Sequence, residues 1–266
     1  MLSDETVDAY LERIGAVRPV RADLGTLVQL HERHVLAVPF ENLDYHLDED
    51  IVMDERVVDK IVRRRRGGGC YEINPAFGLL LEALGYTVHI LPAQVYRPDG
   101  LGSRQGHLVL RVDLTEGSWL VDAGFRRNSR RPLLLGTPRA QHDPHGVYEL
   151  TESEAGIDLR LDGAPLYRVD PTPCRIEDFA PTLWWFRTFP GSPFRQDLFC
   201  SLPTPTGRVT LKGDVLTRTA SGVRTQQVLV DDAAVHAAYK THFGFGLDRL
   251  PTPPVVAPGT TGVQFD

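Results

Sequence analysis

Cys70 lies where a cysteine can act as a nucleophile. It follows a glycine run in the segment Arg66-Gly67-Gly68-Gly69-Cys70-Tyr71-Glu72, and an apolar pattern typical of a helix extends from Ala76 to Leu84. Helix N-termini and nearby cations lower the pKa of a thiol, and the thiolate is the reactive form. The glycines allow a sharp turn and the close approach of a substrate to the backbone. We therefore predict a nucleophilic Cys70, although an isolated cysteine is more often a small buried side chain.

A nucleophilic cysteine needs a base and a group that orients the base, and His107 and Asp122 have the required chemistry. His107 begins the apolar run His107–Asp113, and Asp122 lies in a second run, Trp119–Ala123. The polar turn between the two runs predicts a β-hairpin. Each residue also has a simpler interpretation. His107 fits an ordinary strand histidine, and Asp122 fits an acid that bonds to nearby backbone N–H groups.

The pairing register of this hairpin decides whether the two side chains meet. If Thr115 lies opposite Ser118, then Arg111 faces Asp122. His107 and Asp122 share one face, because strand side chains alternate, but they are two pairing steps apart. A small register change or a bulge would bring them to a diagonal, with about 7–8 Å between Cα atoms. Together with the nucleophile, they predict a Cys-His-Asp triad.

The elements that must position these residues fall into three parts. Residues 1–85 are predicted to form a helical domain that carries the nucleophile, and residues 86–190 a small β-barrel that carries the base and the acid. Residues 191–266 combine strands with one helix, Asp231–Phe243, and end in a Pro- and Gly-rich tail. The predicted strands are Val88–Tyr96, His107–Asp113, Trp119–Ala123, Tyr148–Thr151, Asp158–Leu161, Val209–Lys212, Asp214–Arg218 and Thr225–Val230. The fold class expected from this order is α+β.

Composition narrows the class of protein. The chain has 266 residues, of which 42% are hydrophobic, so it can bury substantial cores. A net charge of −6 argues against nucleic acid as a main partner. The N-terminus is acidic and the sequence has no long apolar run, so we expect no signal peptide and no membrane span. The three cysteines lack metal-ligand spacing, so we expect no metal site and a reducing, cytoplasmic location.

Several segments together resemble the arylamine N-acetyltransferase family. They are Val38-Pro39-Phe40-Glu41-Asn42-Leu43, the Cys70 segment with Asn74, Val121-Asp122-Ala123-Gly124-Phe125, Ile176-Glu177-Asp178-Phe179 and Phe199-Cys200-Ser201-Leu202-Pro203-Thr204-Pro205. The resemblance covers nearly the whole chain. It implies a cysteine-protease-like core of a helical bundle, a barrel and an α/β lid.

The resemblance also implies a reaction in two half-steps. Cys70 would take an acetyl group from acetyl-coenzyme A (acetyl-CoA) and pass it to the amine of an arylamine or arylhydrazine. His107 would form an ion pair with the thiolate and move protons, and Asp122 would orient the imidazole. The backbone N–H groups of Cys70 and Tyr71 would stabilise the oxyanion. Phe40, Phe125 and Tyr71 are expected to bind the acceptor.

Two positions depart from the family pattern. Gly69 stands where the family usually has an aromatic residue, so we expect more room beside the nucleophile. Arg126 stands where glycine is common, and Arg127 follows it. These arginines are expected to pair with phosphates of the donor, although they would also fit solvated surface residues or an obstruction of the cofactor site.

These departures leave other activities open. A related amide synthase would take an acyl chain from a carrier-protein thioester and close it onto an aryl amine. A Cys-His-Asp hydrolase, a transglutaminase-like enzyme and a silent binding protein also fit the fold. The basic run Arg63–Arg66 beside the nucleophile suggests a field that favours a thiolate or an anionic donor, although such runs are more often solvated helix ends.

Overall fold

The first part of the chain is helical, as its apolar spacing predicts. A computed structural model describes residues 2–253. The first two helices are capped by side chains, since Ser3 Oγ accepts from the N–H of Thr6 and Asp23 accepts from that of Thr26. The elements are α1 (Asp4–Arg13), α2 (Leu24–Ala37), β1 (Phe40–Glu41), α3 (Leu43–Leu47), α4 (Arg56–Val62) and α5 (Cys70–Ala83).

The second part is an antiparallel sheet that curls into a nearly closed barrel. Its strands follow the order β6-β5-β4-β2-β10-β9-β8-β7, and β3 pairs with β2. The strands are β2 (Thr87–Arg97), β3 (Gly100–Leu101), β4 (His107–Leu114), β5 (Gly117–Val121), β6 (Leu133–Leu134), β7 (Gln141–Asp143), β8 (Gly146–Ser153), β9 (Gly156–Leu161) and β10 (Ala164–Val169). A side chain bridges the two edge strands, because the Gln141 amide bonds to both the N–H and the carbonyl of Leu134 at 2.8 and 2.9 Å.

The third part returns to the helical part. Its sheet has the order β1-β11-β12-β13-β14, so the strand that follows α2 pairs with a strand about 160 residues later. The helix α6 (Ala180–Thr188) ends the second part. The elements of the third part are α7 (Pro193–Gln196), β11 (Phe199–Thr204), β12 (Gly207–Lys212), β13 (Val215–Ala220), β14 (Val223–Val228) and α8 (Asp232–Ala238). Leu43 and Leu47 of α3 lie in the same apolar cluster as Leu211 and Tyr239. This packing joins the first and third parts.

The hairpin of β4 and β5 has its two-residue turn one position earlier than the sequence predicts. Leu114 pairs with Gly117, so Arg111 faces Leu120, and the expected pairing of Arg111 with Asp122 is wrong. The loop consists of Thr115 and Glu116 alone, and Gly117 takes a φ of 142°, which glycine adopts without strain. The shift moves Asp122 one pairing step closer to the start of β4.

Other differences concern short or weakly patterned segments. β10 was not expected, because its six residues include a proline and an irregular register between Pro165 and Tyr167. The predicted helix Asp231–Phe243 is α-helical only to Ala238 and continues as a π-helical turn over Tyr239–Phe243. Most of the tail that was expected to be irregular, residues 254–266, lies outside the described residues.

Candidate active site

The nucleophile candidate begins α5. Cys70 is 5% exposed, and the N–H groups of Glu72 and Ile73 donate to the Gly69 carbonyl at 3.1 and 2.9 Å, which starts the helix. Gly67 is required by a close approach, since a Cβ there would lie 1.7 Å from the Pro39 carbonyl oxygen. None of the three glycines takes the left-handed conformation. The glycine run therefore lets two backbone segments approach, and the expected sharp turn is not its main use.

His107 connects the sulfur to the carboxylate. Its Nε2 lies 2.8 Å from Asp122 Oδ2, and Cys70 lies close enough to the ring to raise the pKa of His107. Because Nε2 is taken by Asp122, the second ring nitrogen, Nδ1, is the one left for the sulfur. The two residues are only 1% and 3% exposed. The structure thus brings together the three residues that the sequence analysis selected.

Asp122 is held by four hydrogen bonds. Oδ2 accepts from His107 and from the Tyr167 hydroxyl at 2.9 Å. Oδ1 accepts from the Asn74 amide at 2.9 Å and from the Gly124 N–H at 3.1 Å. A carboxylate that accepts this many bonds stays ionised even when it is buried, because each bond stabilises the charged form.

The charges of the pair are set by burial and by each other. Burial lowers the pKa of His107, but the attraction of Asp122 and Cys70 outweighs it and raises this pKa to about 10. Burial raises the pKa of Asp122, whereas His107 and the hydrogen bonds from Asn74 and Tyr167 bring it below its usual value. The ring is therefore an imidazolium at neutral pH, and a positively charged ring stabilises an adjacent thiolate.

Asn74 and Tyr167 are supporting residues whose roles the sequence analysis missed. Asn74 donates to the Leu108 carbonyl at 2.6 Å and accepts from the Ala123 N–H at 2.9 Å, so it fixes both strands of the hairpin against α5. Its place four residues after Cys70, one turn along the same helix, is a signal that could have been used. Tyr167 lies on the unexpected strand β10, so nothing in the sequence connected it with Asp122.

The expected acceptor-binding residues surround the triad at different depths. The half-buried Phe125 ring lies 4.9 Å from the His107 ring and 5.2 Å from that of Tyr167. Phe40 stacks on Phe199 at 5.5 Å, and its backbone forms a bridge with Gly68. Tyr71 is buried against the Phe179 and Phe186 rings, and its hydroxyl donates to the Gln105 carbonyl.

The two arginines after Phe125 have different surroundings. Arg126 lines a groove of about 520 Å³ on the third part, whereas the exposed Arg127 is not among its lining residues. The groove residues are Arg126, Asp197, Phe199, Arg208, Thr210, Lys212, Val215, Thr217, Thr219, Arg224 and Gln226. Arg208 Nη2 donates to the Arg126 carbonyl at 2.6 Å. The groove combines several cations with one acid, so it favours an anionic ligand.

The basic run before the glycines does not act as one patch. Arg63 and Arg64 pair with Asp59 and Glu49 near the surface. Arg66 is 2% exposed and pairs with Glu41 and Asp44 at 2.9 and 2.6 Å. Its charge is therefore neutralised inside the protein. The idea that the whole run forms a field around the nucleophile does not agree with this arrangement.

The structure also bears on metal binding and on membrane insertion. Within residues 2–253, no group of three or more His, Cys, Asp or Glu side chains is arranged to hold a metal ion. In the same part of the chain, no helix has the length and apolar character needed to cross a membrane.

The chemistry available here is nucleophilic. A sulfur beside an imidazolium, with a carboxylate at the far ring nitrogen, can attack an activated carbonyl carbon and form a thioester. Because Cys70 and Tyr71 are the first residues of α5, their N–H groups have no intrahelical acceptor and can donate to an oxyanion. These features define an acyl-transfer site.

Comparisons with known proteins give the family. A family model described as N-acetyltransferase matches residues 23–251. The arylamine N-acetyltransferase of Escherichia coli is 32% identical over 249 residues, which cover 90% of this chain and 88% of that protein. The structure of the Mycobacterium smegmatis enzyme is 35% identical with a TM-score of 0.82, covering 91% of this chain and 92% of that one.

The Mycobacterium marinum arylamine N-acetyltransferase, solved in complex with CoA, is 31% identical with a TM-score of 0.82 and covers 90% of this chain and 92% of its own. The fold is thus an α+β fold with a cysteine-protease-like core, shared with acyl-transfer enzymes. The chain belongs to the arylamine N-acetyltransferase family.

Proposed function

We propose that this protein moves an acetyl group from acetyl-CoA to the amine of an arylamine or arylhydrazine, through an acetyl-cysteine at position 70. The observation that carries the proposal is the His107 ring, which is bonded to Asp122 and lies close enough to Cys70 for the sulfur to raise its pKa. The family, whose members are acyltransferases, supports the same chemistry.

The first half-reaction forms a carbon–sulfur bond and breaks another. The Cys70 thiolate attacks the acetyl carbonyl carbon, and the carbon–sulfur bond to CoA breaks. His107 protonates the leaving thiolate, so the acetyl-enzyme retains a neutral imidazole. Asp122 keeps Nε2 of the ring engaged throughout, which leaves Nδ1 facing the reacting atoms.

The second half-reaction reverses these roles. The acceptor amine attacks the thioester carbonyl, and His107 takes the proton that the amine loses. The carbon–sulfur bond to Cys70 then breaks, which restores the thiolate beside the imidazolium. The N–H groups of Cys70 and Tyr71 are our candidates for stabilising the oxyanion in both steps.

The groove lined by Arg126 is our candidate site for the phosphates of the donor. Its cations Arg208, Lys212 and Arg224 face a negatively charged ligand, and a solved relative binds CoA. Phe199 lines the groove and stacks on Phe40, which links the groove to the nucleophile loop. We assign Arg127 only a peripheral part, because its side chain is exposed.

The acceptor is proposed to bind against Phe125, whose ring lies beside His107, and against Phe40, whose backbone pairs with Gly68 in the glycine turn. Tyr71 contributes to acceptor binding through its backbone and through the rings that it packs against. A neutral, flat aromatic amine suits such a wall, because stacking requires no charge on the ligand.

We also propose the organisation and compartment of the protein. The parts that we treat as domains are residues 1–85, 86–190 and 191–266, with the nucleophile on the first and the base and acid on the second. A reduced Cys70 is essential to this chemistry, and Cys174 and Cys200 are free as well. These free thiols support a reducing, cytoplasmic location.

The acetyl-enzyme is the direct test. Intact-mass measurement after mixing with acetyl-CoA is expected to show one added acetyl group, which is lost in Cys70→Ala and retained in the control Cys174→Ala. Addition of an arylamine should remove the group and yield the acetylated amine. Absence of any adduct on folded protein would overturn the proposal.

The same assay separates CoA from a carrier protein as donor. Acylation by long-chain thioesters of a pantetheine mimic, without acetylation by acetyl-CoA, would favour an amide synthase. The named relatives are arylamine N-acetyltransferases and one holds CoA, which favours acetyl-CoA. Release of ammonia from glutamine peptides would instead indicate a transglutaminase-like reaction.

A further inference from the structure

Five charged side chains lie buried together beneath the turn that carries Cys70. They form what we call the ionic cluster: Glu41, Asp44, Lys60, Arg66 and Glu72. Lys60 Nζ contacts Asp44 at 2.5 Å and Glu72 at 2.6 Å, with Glu41 at 4.0 Å. Arg66 pairs with Glu41 and Asp44. Three acids and two bases give the cluster one excess negative charge when all are ionised.

Burying five charged side chains costs free energy, so the place where they are buried points to a function. Replacing a buried ion pair by apolar side chains often leaves stability unchanged or improved. Here the cluster joins segments that hold the nucleophile turn. Glu41 donates its N–H to the Gly68 carbonyl at 3.0 Å, and Glu72 lies in the first turn of α5 itself. Positioning of that turn is a function that apolar packing would not supply.

Glu72 makes the direct connection to Cys70. Its Oε2 accepts the Gly69 N–H at 3.1 Å, and its Oε1 contacts Lys60 Nζ at 2.6 Å. Both oxygens therefore face donors. A protonated carboxyl has one hydroxyl that must donate, so it cannot keep both contacts. Losing the bond to Gly69 would release the residue that immediately precedes the nucleophile.

We propose that Glu72 is a positioning residue for Cys70, whose ionised carboxylate holds the Gly69 N–H and thereby keeps the sulfur aligned with His107. Protonation of Glu72 loosens the turn and slows every reaction of the sulfur. This inference rests on the proposed role of Cys70 as nucleophile, but it does not depend on the identity of the donor or acceptor.

The surroundings place this protonation in a useful pH range. Burial is the largest effect and raises the pKa of Glu72. Lys60 lowers this pKa, whereas Asp44 and Glu41 raise it further, and the resulting pKa is about 7. Arg66 and Tyr45 complete the titratable and charged groups around it. Because this pKa lies above the usual 4.5, the stability that protonated Glu72 contributes is lost as the pH rises from about 4.5 to 7.

Alkylation of Cys70 by iodoacetamide tests the proposal without any acyl donor. The wild-type rate is expected to fall about three- to tenfold as the pH drops through 7, the effect of losing one hydrogen bond. Glu72→Gln has one acceptor oxygen and an NH2 group that must donate, so it resembles the protonated acid and cannot titrate. It should remove this inflection and keep the rate about three- to tenfold below that of the wild type at pH 8.

A second variant should shift the inflection. Lys60→Gln removes the cation that favours ionised Glu72, so the inflection should move upward by about one pH unit or more. Asp59→Asn, an exposed position on the same helix, is the matched control and should leave the profile unchanged. An inflection that persists in Glu72→Gln belongs to another group, such as the thiol, and would overturn the proposal.

Hydrogen exchange keeps the proposal testable if the variants do not fold. In the wild-type protein the Gly69 amide should lose protection below pH 7 after correction for intrinsic exchange, whereas the Leu27 amide, bonded to the Asp23 carbonyl on α2, should not. Constant protection of Gly69 across this range would contradict the inference. Normal alkylation behaviour without acetylation by acetyl-CoA would count against the proposed function and leave this inference intact.

Discussion

At the scale of single residues, the site depends on a carboxylate with four hydrogen bonds and on a ring that lies between this carboxylate and the sulfur. Asp122 has four partners, so its orientation toward His107 is fixed before any substrate binds. Such preorganisation matters because the imidazolium must hold one geometry while it gives and takes protons.

Asp122→Asn is expected to lower the rate of Cys70 acetylation at least about a hundredfold, because an amide cannot stabilise the imidazolium charge. Single-turnover mass spectrometry measures this rate. Tyr167→Phe is the control, since it removes one of the four bonds and leaves the charge, and it should cost less than about tenfold. A rate for Asp122→Asn within tenfold of wild type would contradict the triad.

The pKa of His107 gives a stability prediction with a definite sign. Folding raises this pKa from 6.5 to about 10. The resulting stabilisation is complete below about pH 6.5 and is lost as the pH rises toward 10, because only the unfolded chain releases its proton in between. The slope should approach about 1.4 kcal/mol per pH unit in mid-range.

Denaturant unfolding between these pH values measures that slope. The Cys70→Ala background removes the contribution of the thiol, and adding Asp122→Asn should flatten the curve. A stability that rises with pH in Cys70→Ala over this window would show that the ring is not the charged partner of Asp122.

At the scale of elements, the glycine turn joins the start of α5 to β1. Phe40 bridges to Gly68, and the Gly68 N–H donates to the Pro39 carbonyl at 3.3 Å. The strand β1 in turn pairs with β11. The nucleophile is thus placed by backbone contacts within the first part of the chain, which explain why side chains are excluded at particular glycines, and β1 connects these contacts to the third part.

Gly67→Ala is expected to destabilise the protein by about 3 kcal/mol, because its Cβ would overlap a backbone oxygen that cannot move away alone. Gly69→Ala should cost less than about 1 kcal/mol, since the nearest atom to its Cβ is 3.9 Å away on the Phe194 ring. Urea unfolding measures both. Equal costs would mean that the close approach at Gly67 is not what the turn requires.

At the scale of the whole molecule, charge is distributed unevenly. The chain carries a net charge of −6, yet the groove beside the site contains Arg126, Arg208, Lys212 and Arg224. The one acid of the groove, Asp197, is paired with Lys212 at 3.0 Å. We therefore expect the groove to attract an anionic donor to one face of a protein whose net charge is negative.

Raising the salt concentration from about 0.05 to about 0.3 M should increase the KM for acetyl-CoA several-fold and leave the KM for a neutral arylamine unchanged. A small acetyl thioester without phosphates is the matched control and should show no salt effect. Arg126→Gly should raise the donor KM and weaken its salt dependence. A lower donor KM in this variant would mean that Arg126 obstructs the donor.

The sequence by itself determined the parts of this protein that depend on neighbours in the chain. The glycine run before an apolar helix identified Cys70, and the two apolar runs around a polar turn identified the hairpin with His107 and Asp122. These features are local, because helix starts, strand alternation and turns are set by a few consecutive residues. The family resemblance rested on the same segments.

Only the tertiary structure decided how these parts meet. The hairpin register, the Tyr167 bond to Asp122 and the ionic cluster beneath Cys70 all join segments that are distant in sequence. Whether Arg66 faces solvent or a buried carboxylate cannot be read from a run of four arginines, because neighbouring residues in the chain can point to different environments. Burial and long-range packing set those environments, and they also set the charges on which the proposed chemistry depends.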